Sequence, residues 1–240
     1  MIRRAVIVGL LVVLALPLMY AMAELPTHGS LDSPAYTHIA PRYLQKGPEE
    51  AGAENIVTDI ILNYRGFDTN FEVTVIFTAM AAVLGVLMGT GAGSKSAASS
   101  SNTTPPSVVV GFIVRVMAPL IITFAIYVIL NGHITPGGGF QGGTIIGALF
   151  IALVLVLDEQ DVARLLPRRG ERLLQAAAPI TFFLVGLTGL VAFGSYLSYP
   201  GGTGPLAWVT TMFLVIIEIG IGVGGAMVIV TIFRTMGGER

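Results

Sequence analysis

Long apolar runs separated by short polar breaks dominate the chain, and their length is that of membrane helices. Crossing the hydrocarbon takes about 20 mostly apolar residues in a helix. The pattern predicts six such runs, at residues 5–23, 71–90, 108–130, 142–157, 176–197 and 207–233. The fourth is short, and the glycine-rich stretch before it is expected to supply its first turn. The sixth is long enough to tilt. One further segment keeps a helical period without the length to span. Ile56, Val57, Ile60, Ile61 and Tyr64 share one face, with Asp59 and Asn63 on another. It predicts a short amphipathic helix on the outer membrane surface, or dipping into it under protein cover. The expected fold class is therefore all-α: a polytopic membrane protein of about six transmembrane helices plus one short amphipathic external helix.

Composition agrees. Hydrophobic residues make up 54% of the 240 and charged residues only 11%, with a mean hydropathy of +0.81. A soluble domain needs about a quarter of its residues charged, so this chain's outer surface faces lipid. A net charge of −1 removes the basic footprint of a nucleic-acid binder. The absence of cysteine excludes disulfides, thiolate metal sites, iron–sulfur ligation by this chain and cysteine nucleophiles.

Basic residues set the sidedness. Arg3 and Arg4 precede the first span, Lys95 lies between the second and third, and Arg164, Arg168, Arg169 and Arg172 lie between the fourth and fifth. Arg234 and Arg240 follow the sixth. All fall on one side when both termini are cytoplasmic, as the positive-inside rule requires. The expected location is the cell membrane. Arg42, Lys46 and Arg65 on the other side are diluted among acids. The first span also reads as a secretory signal peptide, because Arg3-Arg4, an apolar stretch and Ala21-Met22-Ala23 match its parts. Both readings fit; the retained helix is carried forward, and either leaves residues 24–70 outside. The first part of that segment, rich in Pro, Gly, His and Tyr, is expected to be irregular.

Residues 91–107, GAGSKSAASSSNTTPPS, have the composition of a flexible linker. They separate a two-span part, 1–91, from a four-span part, 108–240, with 92–107 as a cytoplasmic linker. An ordinary loop has the same composition.

The candidate chemistry lies in polar groups inside apolar surroundings. Glu218 sits about ten residues into the last span, roughly 15 Å deep. A carboxyl there faces protein, water or a cation, or stays protonated. It therefore reads as a proton or cation site, against a plain interhelical hydrogen bond. Asp59 and Glu72, near Asp68 and Arg65, form an outer acidic group that gathers cations or simply solvates helix ends. The loop from Gly132 to Gly143 carries no charge unless His133 is protonated. His133 is a relay candidate, although such a histidine is more often a structural hydrogen-bonder. Gly137, Gly138, Gly139, Gly142 and Gly143 permit positive φ and close packing. Arg115, about seven residues into the third span, snorkels to the surface or, if the helices are offset by about 10 Å, pairs with Glu218. No catalytic constellation, metal-ligand spacing or cofactor motif is present in the sequence, so the chain reads as a non-catalytic subunit.

Three stretches carry a family resemblance. Residues 131–143, NGHITPGGGFQGG, closely resemble the signature loop of the B subunit of Mrp-type multisubunit sodium/proton antiporters, and the equivalent F subunit of membrane-bound hydrogenases. Residues 217–222, IEIGIG, look like that family's last-span motif. Residues 55–72, NIVTDIILNYRGFDTNFE, resemble the hydrogenase E subunit, which in the antiporters forms the end of the large A subunit. The resemblance implies an E-like and a B-like subunit fused at the linker, within a complex holding A-, C-, D-, E-, F- and G-like membrane subunits. It implies transport of sodium ions and protons, with Glu218, Asp59 and Glu72 as carriers and His133 assisting. Many antiporter B subunits have Asp where Glu218 stands; Glu is closer to the hydrogenase-type relatives. That departure leaves a membrane scaffold of a hydrogenase-type or related redox-driven complex as the alternative.

Overall fold

The computed structural model describes residues 2–89, 107–157, 161 and 167–236. All regular structure among the described residues is helical, and six helices are long and apolar enough to cross a membrane. The linker assigned to 92–107 lies outside the described residues except for Ser107.

The chain forms two compact units, Met1–Leu44 and Gln45–Arg240. In the first, α1 (Ile2–Ala23) exposes its whole apolar surface. A π-helical turn, Ala35–Ile39, then leads into α2, Ala40–Glu50. Residues 24–33 are irregular as expected, whereas the expectation is corrected for residues 35–50, which are helical. Pro41 falls in the first turn of α2, where its missing N–H is an orphan anyway, so the proline-rich composition does not break the helix.

The second unit is built around α9, Ala207–Met236. Two-thirds of its apolar window is buried, whereas α4 (Gly66–Gly89) and α5 (Val108–Leu130) are largely exposed on their own. α6 (Gly139–Val156) packs on α9 by small residues: a β-carbon on Gly143 would lie 2.6 Å from the Gly222 carbonyl oxygen. α8 (Ala177–Phe193) supplies Ala178, Phe182 and Val185 to a core that also holds Leu62, Val73, Leu214 and Ile217. The exposed apolar faces of α4 and α5, among them Phe71, Val75, Phe112 and Leu120, suit lipid or neighbouring membrane chains.

At the C-terminal end of α9, α7 (Arg168–Gln175) is strapped to it. The Arg234 guanidinium donates to Glu171 at 2.7 Å, and Thr231 joins Glu171 and Gln175 in the same network. The charge pattern marked this loop for sidedness alone; nothing in its composition indicated that Glu171 turns inward to a buried ion pair.

The segment expected as a regular amphipathic helix differs. It starts as α3, Ile56–Thr58, and continues as a π-helical stretch, Asp59–Tyr64, in which the Arg65 N–H reaches back five residues to the Ile60 carbonyl at 2.7 Å. Thr58, Asp59 and Leu62 form the buried side, and Val57, placed by a 3.6-residue period on the apolar face, is 51% exposed.

Candidate functional site

Asn55 is the N-cap of α3, its Oδ1 accepting the Val57 N–H at 3.1 Å. Its side-chain amide points the other way and donates to the carbonyls of Gly132 and Thr135, at 2.7 and 2.9 Å. The backbone N–H groups of Glu54 and Asn55 both donate to the His133 carbonyl at 3.0 Å. Three carbonyls of the glycine loop are thus held by one short segment. A non-helical loop at the end of two membrane helices needs such partners, because lipid offers none.

The loop turns sharply at Gly137 and Gly138, with φ of +147° and +135°, values that side chains disfavour. Gly139 and Gly142 then begin α6 pressed against the Glu218 carbonyl and the Ile129 side chain respectively, and Gly143 continues that contact along α9. All five loop glycines assigned from sequence therefore lie in the turn or its packing seam. The purpose of the seam is visible at Gly132, where a β-carbon would sit 2.5 and 2.6 Å from the two carboxyl oxygens of Glu218.

Glu218 is the twelfth residue of the 30-residue α9 and is 2% exposed. It lies against Gly132 and Gly138, facing protein on the loop side. Its Oε1 is 3.5 Å from the Thr58 hydroxyl, which donates its proton at 2.7 Å to the Gly132 carbonyl. Among the described residues its Oε2 has no hydrogen-bond partner. One residue from Thr58, Asp59 is fully buried. Its Oδ1 accepts the Ala53 N–H at 2.8 Å, while Oδ2 is unpartnered and packs on Gly47. Burial pushes the Asp59 carboxyl up to about 6, with the Ala53 N–H opposing the shift. A group titrating there takes up and releases protons near neutral pH. His133 is partly buried, and its Nδ1 also lacks a partner.

Asp59 and His133 thus belong to the two sides of one backbone contact, segment 53–59 against loop 132–138, and the Glu218 carboxyl of α9 lies against Thr58 of the first and Gly132 and Gly138 of the second. Glu72 does not join them: it is exposed on α4. Arg115 is exposed on α5, and Glu218 makes no ion pair among the described residues. The offset pairing of Arg115 with Glu218 is therefore not formed. Sequence reasoning missed Asn55 and Thr58. Asn55 carried a legible N-cap signal; Thr58 carried none, since its partners lie 74 and 160 residues away.

The family described as a domain related to the MnhB subunit of Na+/H+ antiporter matches residues 109–231, and the MbhE family, the E subunit of MBH, matches residues 5–102. The Staphylococcus haemolyticus protein named for antiporter subunit mnhB2 is 33% identical over 142 residues, covering 55% of this chain and 96% of that protein. An uncharacterized protein of Methanocaldococcus jannaschii is 35% identical over 89 residues. The match there covers 37% of this chain and about a third, 34%, of that protein. Among solved structures, a chain of the membrane-bound sulfane sulfur reductase (MBS), an archaeal respiratory membrane complex, aligns over 100% of both chains with 27% identity and a TM-score of 0.62. A chain of the Mrp complex from Dietzia sp. DQ12-45-1b shares the fold, with 23% identity, a TM-score of 0.66, and 99% of this chain set against 26% of that one. The chain is a membrane subunit of the antiporter-like kind and belongs to the family of domains related to the MnhB subunit of Na+/H+ antiporters, with a region similar to the E subunit of MBH preceding that domain.

Proposed function

We propose that this chain is a non-catalytic subunit that lines part of a cation and proton path in a multisubunit complex. Glu218, Asp59 and His133 are the groups that exchange protons or cations, and sodium is the ion. The single observation that carries the reading is the fully enclosed Glu218 carboxyl, with one oxygen unpartnered, beneath a loop of glycines held open for it. Asp59 supports it as a second buried carboxyl with an unpartnered oxygen. Glu72, exposed on α4, contributes through a surface shared with a neighbouring A-, C-, D-, E-, F- or G-like subunit. Residues 92–107 are a linker between an E-like and a B-like part; the two family matches end at residue 102 and begin at residue 109. Both termini are cytoplasmic, and the membrane is the cell membrane.

The test is Glu218→Gln in the intact complex, reconstituted in vesicles, with assembly checked by subunit stoichiometry. Loss of sodium-dependent proton movement at normal assembly is expected. Unchanged transport refutes the role of Glu218.

A second reading concerns the parent complex. The end-to-end similarity to a chain of an archaeal respiratory complex favours a redox-driven assembly in which this subunit also serves as a membrane scaffold. Purification of the native complex decides it: co-purifying iron–sulfur absorbance supports that reading, and a preparation of membrane subunits alone refutes it.

A further inference from the structure

The Thr58 hydroxyl has one proton and two acceptors within reach. The Gly132 carbonyl oxygen is at 2.7 Å and Glu218 Oε1 at 3.5 Å. The shorter distance is that of an ordinary O–H···O bond and the longer is not, so in this arrangement the proton points to Gly132. That geometry suits a neutral Glu218, which needs no proton from Thr58. A carboxylate has no proton to give and needs a donor. Thr58 is the hydroxyl within reach, and turning its proton to Glu218 withdraws it from Gly132. The Gly132 carbonyl is not orphaned, because Asn55 still donates to it at 2.7 Å.

We propose that Thr58 is a positioning residue that links the protonation of Glu218 to the grip of the 54–58 segment on the glycine loop. This rests on the transport reading of Glu218. In the neutral state the segment holds the Gly132 carbonyl with two donors; in the ionised state it holds it with Asn55 alone, and the loop loosens. Movement of a proton at the acid in α9 is thereby passed to the E-like part of the chain, whose Asp59 follows Thr58 directly. The titratable groups around Glu218 are few. Asp59 lies on the α3 side and His133 on the loop side. Gln141 on α6 is uncharged, α8 has no ionisable residue, and Arg115 of α5 and Glu72 of α4 are exposed.

The experiment is the pH profile of sodium-dependent transport by the intact complex in vesicles, for Thr58→Val, Thr58→Ser and Thr58→Cys. Valine keeps the shape and removes the donor, so the ionised acid loses its hydrogen bond. The profile's midpoint moves upward by about one pH unit, the tenfold that a hydrogen bond to a charged group supplies. Serine restores the original midpoint, and cysteine, a weak donor, gives one in between. Should the valine form fail to assemble, the cysteine form carries the same test. A midpoint unchanged in the valine and cysteine forms, or shifted equally in the serine form, overturns the proposal. Glu218→Gln separates the two readings: if it abolishes transport while the Thr58 forms behave as the native complex does, the positioning role fails and the transport role stands.

Discussion

Gly132 and Gly225 make a matched pair of tests at the scale of single residues. A β-carbon at Gly132 would press on both Glu218 oxygens and come within 2.6 Å of the Gly138 Cα, which is backbone and cannot swing aside. Gly132→Ala is expected to lower stability by about 1–3 kcal/mol, the usual cost of overpacking. Nothing lies within 4 Å of a β-carbon at Gly225, so Gly225→Ala is expected to be neutral or stabilising by up to about 1 kcal/mol. Thermal unfolding of the two complexes checks both; equal losses contradict the cradle. Asp59 makes a pH prediction. Burial disfavours its charged form, so the folded protein is most stable, as far as this group matters, below the ordinary value of 3.8. That stability is lost as the pH rises to about 6. Asp59→Asn keeps the acceptor for the Ala53 N–H and is expected to flatten this slope in unfolding midpoints taken from about pH 4 to about pH 7. An identical slope in both proteins removes Asp59 as its source.

At the scale of elements, the clamp between segment 54–58 and loop 132–135 carries the architecture. Asn55→Ala removes two side-chain hydrogen bonds to loop carbonyls and an N-cap. A loss of about 2 kcal/mol is expected from the combination, with faster amide exchange confined to the glycine loop and α3. Exchange unchanged in both contradicts the clamp. The elements also show what periodicity can and cannot reveal. The long spans were legible because apolar length alone defines them, and Glu218 stood out because an acid has no other business in such a run. The loop was legible as a backbone device from its glycines. The orientation of residues 56–64 was not, because the buried face, Thr58, Asp59 and Leu62, includes polar side chains, and Thr58 meets partners far away in the chain. Thr58 and the inward turn of Glu171 depend on the same long-range packing and left no local trace. The pairing of Arg115 with Glu218 rested on depth alone, and depth does not say which face of a helix a side chain occupies.

For the whole molecule, sidedness is testable with unusual directness because the chain lacks cysteine. Single cysteines introduced at half-buried Ser30 and exposed Ser107 are expected to report opposite faces of the membrane. Under the proposed topology, an impermeant maleimide labels Ser30→Cys in whole cells and Ser107→Cys only after permeabilisation; the reverse pattern inverts the topology. Most of the exposed apolar surface lies on α1, α4 and α5, which is where neighbouring chains or lipid must pack. The Glu218 carboxyl is enclosed where Thr58 of the E-like part meets the glycine loop of the B-like part, and the Asp59 carboxyl is enclosed within the E-like part. That division, partners outside and exchangeable protons within, is the physical content of the functional reading. Its most direct measurement is sodium-22 uptake driven by an imposed pH gradient, comparing the native complex with Glu218→Gln at matched assembly. The account predicts that uptake falls at least about tenfold, to the leak of protein-free vesicles. Uptake equal to that of the native complex would contradict it.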